Sequence, residues 1–150
     1  MPMYRRFLAM IAVSTAVMLP LMYLNTYVSD HVFFSQTRTF MAIVMGATMA
    51  VVMLAFMHDM FANPRLNAAI VVGSLATFCL ALWLVRSQAT VGDVAYMRAM
   101  IPHHSIAILT SERARIRDPR VRELADGIME AQRREIAEMK NLIDDLEAKR

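Results

Sequence analysis

Three long stretches of this sequence carry neither a charged residue nor a histidine, namely residues 7–29, 39–57 and 66–85. A helix needs roughly 20 apolar residues to cross the hydrocarbon core of a bilayer, and each stretch is about that long. We therefore predict three transmembrane helices. Together they form a membrane region over residues 1–86.

Arginines at the edges of these stretches predict the orientation. Arg5 and Arg6 precede the first stretch, Arg38 lies between the first and second, and Arg65 between the second and third. Because basic residues collect on the cytoplasmic side, the N-terminus is predicted in the cytoplasm and the C-terminal segment outside. The first stretch is too long for a signal peptide and lacks a clear cleavage site, so we interpret it as a retained anchor.

The composition changes abruptly at residue 87. The segment 87–150 holds 11 of the 16 basic and 11 of the 13 acidic residues, which is typical of a water-exposed helical module. The formal net charge of +3 comes from arginines at membrane edges, where they favour anionic lipid, and nothing indicates nucleic-acid binding. The single cysteine, Cys79, lies in the third apolar stretch, so neither an intramolecular disulfide nor a thiolate site is expected.

Two helices are predicted in the C-terminal segment. Asp93 is a candidate N-cap for a helix over residues 94–116. Asp118 and Pro119 form a stronger start signal, an N-cap followed by proline in the first turn, for a helix running to about residue 148. The fold class is all-α, with three transmembrane helices followed by an extramembrane antiparallel helical hairpin.

The run from Met97 to His104 is the candidate functional motif. It contains the thioethers of Met97 and Met100 and the imidazoles of His103 and His104. Thioether sulfur suits Cu(I) and Ag(I), whereas imidazole suits Cu, Zn, Fe and Ni, so the mixture favours copper without excluding the others. On a helix, Met97, Met100 and His104 share one stripe with His103 at its edge. The alternative is two buried methionines beside a hydrogen-bonded histidine pair.

The second predicted helix carries a stripe with a 4-3-4-3 rhythm, which predicts a packing seam: Val121, Ala125, Ile128, Gln132, Glu135, Met139, Leu142 and Leu146. Antiparallel pairing is expected to place Met97 near Met139, Met100 near Glu135, and His103 near Gln132. An unpaired carboxylate inside a seam is costly, so Glu135 needs a partner. It either binds the metal or, as we favour, orients a histidine.

The two motifs together resemble the domain of unknown function 305 family over roughly residues 93–146. They are Met-x-x-Met-Ile-Pro-His-His with Ala107-Ile108, and Gln132-x-x-Glu135-Ile136-x-x-Met139. The resemblance implies a ferritin-like helical bundle, exported or membrane-tethered in bacteria, with links to copper or silver binding and tolerance in some members. It implies metal binding by Met97, Met100, His103, His104 and Met139, supported by Gln132 and Glu135. Ser105 stands where that family frequently has Gln.

These observations predict a membrane-anchored protein that binds Cu(I) or Ag(I) and serves extracytoplasmic copper binding, tolerance or delivery in a bacterial plasma (inner) membrane. Because two helices bury little core, the hairpin is expected to be half of a ferritin-like bundle completed by dimerisation. The alternative is a metal-independent, membrane-tethered assembly module in which Glu135 sets the register of a dimer seam. No enzyme is expected, because the Glu-x-x-His pairs of di-iron bundles do not occur and no nucleophile, phosphate loop or triad pattern is found.

Five methionines recur every four residues in the second apolar stretch: Met41, Met45, Met49, Met53 and Met57. This ladder is either apolar filler or a Cu(I) path through the membrane. A four-residue period drifts by about 40° per step around a helix, which spreads the sulfurs over nearly half of its surface and favours filler.

Overall fold

The computed structural model describes residues 2–149, and its regular structure is helical. It has five α-helices: α1 Pro2–Leu21, α2 Gln36–Phe56, α3 Pro64–Ser87, α4 Asp93–Arg113 and α5 Pro119–Ala148. Short 3-10 turns occur at Ser29–His31 and His58–Met60, and no strand is found within residues 2–149. The predicted all-helical class is confirmed.

Three helices are long and apolar enough to cross a membrane: Met3–Leu21, Gln36–Phe56 and Pro64–Ser87. This confirms the three apolar segments, but the first helix ends at Leu21 and not near residue 29. Polar side chains follow that end, and Thr26 Oγ1 donates to the carbonyl of Tyr23 at 2.8 Å. Such local bonds compete with helical ones, which explains why the apolar run outlasts the helix.

The chain divides into two compact units. The membrane unit contains the residues up to Met22 and Thr37–Thr90, while the second unit contains Tyr23–Gln36 and the residues from Val91 onward. We call the second unit the C-terminal unit and the segment Tyr23–Gln36 the strap. The predicted boundary lies at residue 86, whereas in the structure residues 87–90 group with the membrane unit and the strap groups with the C-terminal helices.

In the membrane unit, side chains from all three helices share one apolar cluster. Phe7, Ala50, Leu54 and Phe61 are buried in it, with residues of α3 such as Ile70 packed alongside. At another point α1 and α2 approach closely, because a Cβ atom on Gly46 would overlap Thr15. Small residues at such a contact allow two helices to pack closely.

In the C-terminal unit, α4 and α5 pack side by side. Arg98 pairs with Glu147 at 2.8 Å and His104 lies 3.1 Å from Glu135, so residues later in α4 meet residues earlier in α5. This is the order of antiparallel packing. The buried residues of the cluster are Met97, Ile101, Ile108, Ile136 and Ile143.

Helix α5 starts where the sequence predicts, since Asp118 is its N-cap and accepts a hydrogen bond from the backbone N–H of Arg120 at 2.9 Å. Helix α4 differs slightly from the prediction. Its N-cap is Gly92, with Asp93 as the first helical residue, and it ends at Arg113 instead of near residue 116.

The strap is held against both helices of the C-terminal unit. Tyr27 and Phe33 pack against the apolar cluster of α4 and α5. Asp30 accepts a hydrogen bond from Lys140 of α5. The strap is thus part of the core of this unit and not a free connection between helices.

Candidate functional site

The rotation of α4 decides which residues of the Met/His run reach the space beside α5. Five residues of α4 are buried, with exposed fractions of 7% or less: a stripe of Met97, Ile101, Ser105 and Ile108, and Pro102 beside it. His104 lies just beside this stripe and its side chain is only 14% exposed. His103, one residue earlier, is exposed. The two imidazole centroids are 6.1 Å apart, so the rings are neighbours that face different surroundings.

On α5, the seam predicted from the sequence is wrong in its rotation. The buried residues are Ala125, Ile136 and Ile143, while Val121, Ile128 and Leu142 are exposed and Glu135 keeps 44% of its side chain exposed. The helix carries a second 4-3-4-3 rhythm that sequence reading passed over: Ala125, Met129, Gln132, Ile136, Met139, Ile143 and Leu146. This stripe buries two isoleucines where the predicted one would bury Glu135, and it avoids the desolvation of a carboxylate.

A pocket of about 650 Å³ lies between α4 and α5. We call it the ligand pocket, and its lining is Asp93, Tyr96, Met97, His104, Glu135, Glu138, Met139, Leu142, Asp145, Leu146 and Lys149. Two thioethers and one imidazole are thus combined with four carboxylates and one ammonium group. The excess of negative charge attracts cations to this surface.

Glu135 is the polar centre of one wall of the pocket. Its Oε2 lies 3.1 Å from His104 Nδ1 and accepts a long hydrogen bond from Gln132 Nε2 at 3.4 Å. His104 Nδ1 is inaccessible to solvent, and its approach to the carboxylate does not meet hydrogen-bonding geometry. A buried ring nitrogen without an aligned partner is unusual, because such groups are normally hydrogen-bonded.

The pKa of His104 is lowered from its ordinary value, first by burial and then by His103, with the Glu135 carboxylate opposing the shift. Burial disfavours the charged imidazolium more than the single carboxylate favours it. The imidazole is therefore neutral at pH 7. A neutral ring nitrogen has the free lone pair that a metal ion requires.

Four of the seven predicted residues line this pocket: Met97, His104, Glu135 and Met139. Gln132 contacts the site through Glu135. Met100 and His103 do not line the pocket. Within residues 2–149, no three His, Cys, Asp or Glu side chains are close enough together to hold a metal ion, so a metal in this pocket would need methionine sulfur.

The methionine ladder of α2 does not present one continuous face. Met53 and Met57 pack against the apolar cluster of the membrane unit, whereas Met45 is exposed and Met41 and Met49 are half-buried. The sulfurs lie on different sides of α2 because a four-residue step turns by about 40° around a helix.

Comparison with known proteins concerns the C-terminal part of the chain. Residues 93–150 match the family described as "Domain of unknown function (DUF305)". The predicted resemblance of this segment is confirmed. The DUF305 segment begins at the first residue of α4 and contains every residue of the ligand pocket.

One similar protein is an uncharacterized protein of Acanthamoeba polyphaga mimivirus, which is 41% identical over 66 residues. The match covers 43% of this chain and 43% of that protein, so the chain spans less than half of the relative's length. No solved structure matches the chain.

Sequence reading missed the strap, which lies outside the DUF305 segment. Its contact point on α4 is Ser105, which is fully buried in the apolar stripe. The Ser105 Oγ accepts from the N–H of Tyr27 at 2.7 Å and lies 3.0 Å from His31 Nδ1. The available signals were a serine at the centre of an apolar stripe and two aromatic residues, Tyr27 and Phe33, beyond the first helix.

Proposed function

We propose that this protein is a membrane-anchored metal-binding protein whose ligand pocket takes Cu(I) or Ag(I) through Met97, His104 and Met139. One observation carries the proposal. The imidazole of His104, whose Nδ1 lies 3.1 Å from the Glu135 carboxylate, shares one pocket with two methionine thioethers. This donor set fits a soft monovalent ion, because thioether sulfur favours Cu(I) and imidazole also binds copper.

The residues around the donors support the same role. Glu135 lies against His104 Nδ1 and would orient the imidazole so that Nε2 is left for the ion, with Gln132 fixing the carboxylate in turn. Asp93, Glu138 and Asp145 add negative charge to the pocket. Charged groups around a cleft raise the local concentration of the oppositely charged ligand. The bound ion is cargo to be held, passed on or sequestered, in copper binding, delivery or tolerance.

The proposed location is a bacterial plasma (inner) membrane, with the N-terminus in the cytoplasm and the C-terminal unit outside. Hydrogen bonds between the strap and Ser105 require that both lie on the same side of the membrane. The strap follows the first apolar helix and α4 follows the third, so three crossings satisfy this requirement. The arginine distribution around the helices supports the direction.

We also propose that a second copy completes a ferritin-like four-helix bundle. Three apolar residues at i, i+3 and i+7 spacing are exposed on α5, namely Val121, Leu124 and Ile128, with exposed fractions of 49%, 65% and 38%. A contiguous apolar face of this kind marks an interaction site. The same face favours the second candidate function, an assembly module that dimerises without metal.

The test is Ag(I) and Cu(I) binding to the full chain purified in detergent, with competition titrations to compare variants. We expect His104→Ala and Met139→Leu each to weaken binding by about tenfold or more, because each removes one donor from the ion. The matched control for Met139→Leu is Met129→Leu, because Met129 is a partly buried methionine on the same helix but lies outside the pocket. His103→Ala is the matched control for His104→Ala, because His103 does not line the pocket.

Equal affinity in His104→Ala and wild type would refute the proposed site. A dimer in analytical ultracentrifugation that forms without metal and dissociates on Leu124→Glu, in a chain that binds neither ion, would support the assembly module instead.

A further inference from the structure

Ser105 is the one polar residue in the buried stripe of α4, and it is completely buried. Both of its hydrogen-bonding partners named above belong to the strap. The N–H of Tyr27 donates to Oγ at 2.7 Å, which leaves the hydroxyl proton free to be donated to His31 Nδ1 at 3.0 Å. A buried hydroxyl must keep its partners, so α4 and the strap are tied at this point.

The hydrogen bonds at Ser105 fix the rotation of α4 about its axis, which burial of the apolar stripe alone does not fix. Apolar burial is non-directional, and Ile101 and Ile108 would remain buried through a modest rotation of α4. Hydrogen bonds weaken steeply when their angle changes, so the bonds at Ser105 fix the rotation. Successive residues of a helix are about 100° apart, which means that fixing Ser105 also fixes His103 and His104.

We propose that Ser105 is a positioning residue which, by holding the strap, keeps the imidazole of His104 in the ligand pocket. A turn of α4 that moved His104 out of the pocket, toward the exposed position of His103, would carry Ser105 away from Tyr27 and His31. The strap thus holds a pocket residue in place from outside the DUF305 segment. The consequence for metal binding rests on the proposed function, whereas the positioning itself needs no metal.

The experiment measures the rate at which diethyl pyrocarbonate modifies each histidine in the metal-free full chain, by peptide mass spectrometry. In wild type, we expect His103 to react faster than His104, as their exposures differ. In Ser105→Ala, the His104 rate should rise about tenfold toward the His103 rate, which is the population change expected for the loss of a buried hydrogen bond. His58 is exposed in the membrane unit and should keep its rate as an internal reference.

Two further variants make the result specific. Ser111→Ala makes the same substitution on α4 at a half-buried serine away from the strap contact and should leave His104 slow. Ser105→Thr keeps the hydroxyl and should restore slow modification. A folded Ser105→Ala chain with the wild-type His104 rate overturns the proposal, as does an equal rise in Ser111→Ala.

If Ser105→Ala lacks the wild-type helicity, the positioning role is tested in His31→Ala, which leaves Ser105 in place and removes only its contact with His31 of the strap. A His104 rate in that variant within about twofold of wild type, too small for a lost buried hydrogen bond, also overturns the proposal.

Ag(I) affinity provides the functional arm. Ser105→Ala should weaken Ag(I) binding in the wild-type background and have much less effect in the His104→Ala background, while His103→Ala should leave the affinity unchanged in both wild type and Ser105→Ala. This non-additivity reports coupling between Ser105 and His104, which a general loss of stability would not produce. If wild type binds no Ag(I), the proposed function fails, and the modification rates still decide the positioning role.

Discussion

At the scale of residues, a shift of one position separates a pocket residue from an exposed one. Sequence reading placed His104 in the stripe and His103 at its edge, and the structure places them in the pocket and on the surface. Met100 was expected in the same stripe but does not line the pocket. The buried stripe is centred on Ile101 and Ser105, and helical periodicity alone could not choose that centre, because Met97 belongs to both stripes.

Gly46 gives a residue-scale prediction in the membrane unit. Gly46→Ala would place a Cβ against Thr15, whose hydroxyl already donates to the carbonyl of Ile11. We expect a destabilisation of about 1–3 kcal/mol, the usual cost of overpacking a close contact. The measurement is the unfolding midpoint of the full chain in a graded mixture of mild detergent and sodium dodecyl sulfate.

Gly73→Ala is the matched control. Gly73 lies in α3 of the same unit, and nothing stands within 4 Å of the position its Cβ would take. It should be neutral or slightly stabilising, since alanine favours helix more than glycine. Equal effects of the two substitutions would contradict the close contact of α1 with α2.

At the scale of elements, the start of α5 was predictable, whereas the N-cap of α4 was predicted one residue late and the packing faces were not predictable. The start of α5 follows from the N-cap Asp118 and from Pro119, which are local chemistry. Its packing face depends on which of two overlapping rhythms meets α4, and that choice depends on tertiary contacts. The strap was not predictable for the same reason, because its apolar residues extend the first apolar run and only the structure shows that they pack on α4 and α5.

The strap should loosen in acid. Burial lowers the pKa of His31, the nearby Lys140 lowers it further, and Asp30 opposes them. The unfolded chain therefore binds a proton on this imidazole more readily than the folded chain. Stability from the neutral ring is present above the ordinary pKa of about 6.5 and is lost as the pH falls below that value.

The measurement is the melting temperature of the full chain between pH 8 and pH 5, in wild type and in His31→Gln, which does not titrate. The wild-type melting temperature should fall more steeply below pH 6.5 than that of the variant. The acid sensitivity that His104 adds is common to both proteins and cancels in the comparison. If the two melting temperatures fell in parallel, the protonation of His31 would not be a cause of the acid sensitivity.

At the scale of the whole molecule, the orientation prediction can be tested on intact cells. In a Cys79→Ser background, a single cysteine is introduced at Arg115, between α4 and α5, or at Asp59, between α2 and α3; both positions are exposed. A membrane-impermeant maleimide added outside should label Arg115→Cys at once and Asp59→Cys only after permeabilisation. The reverse pattern would invert the proposed topology.

The strap also sets an order of events during synthesis. Tyr27 leaves the ribosome 78 residues before Ser105, the hydroxyl that receives its amide proton. At 5–20 residues per second, the strap waits about 4–16 s for its partner. During this interval α4 and α5 are not yet available to cover Tyr27 and Phe33. The C-terminal unit therefore closes only after α2 and α3 have been made, around an element synthesised before them, and in the proposed topology its folding waits for their insertion into the membrane.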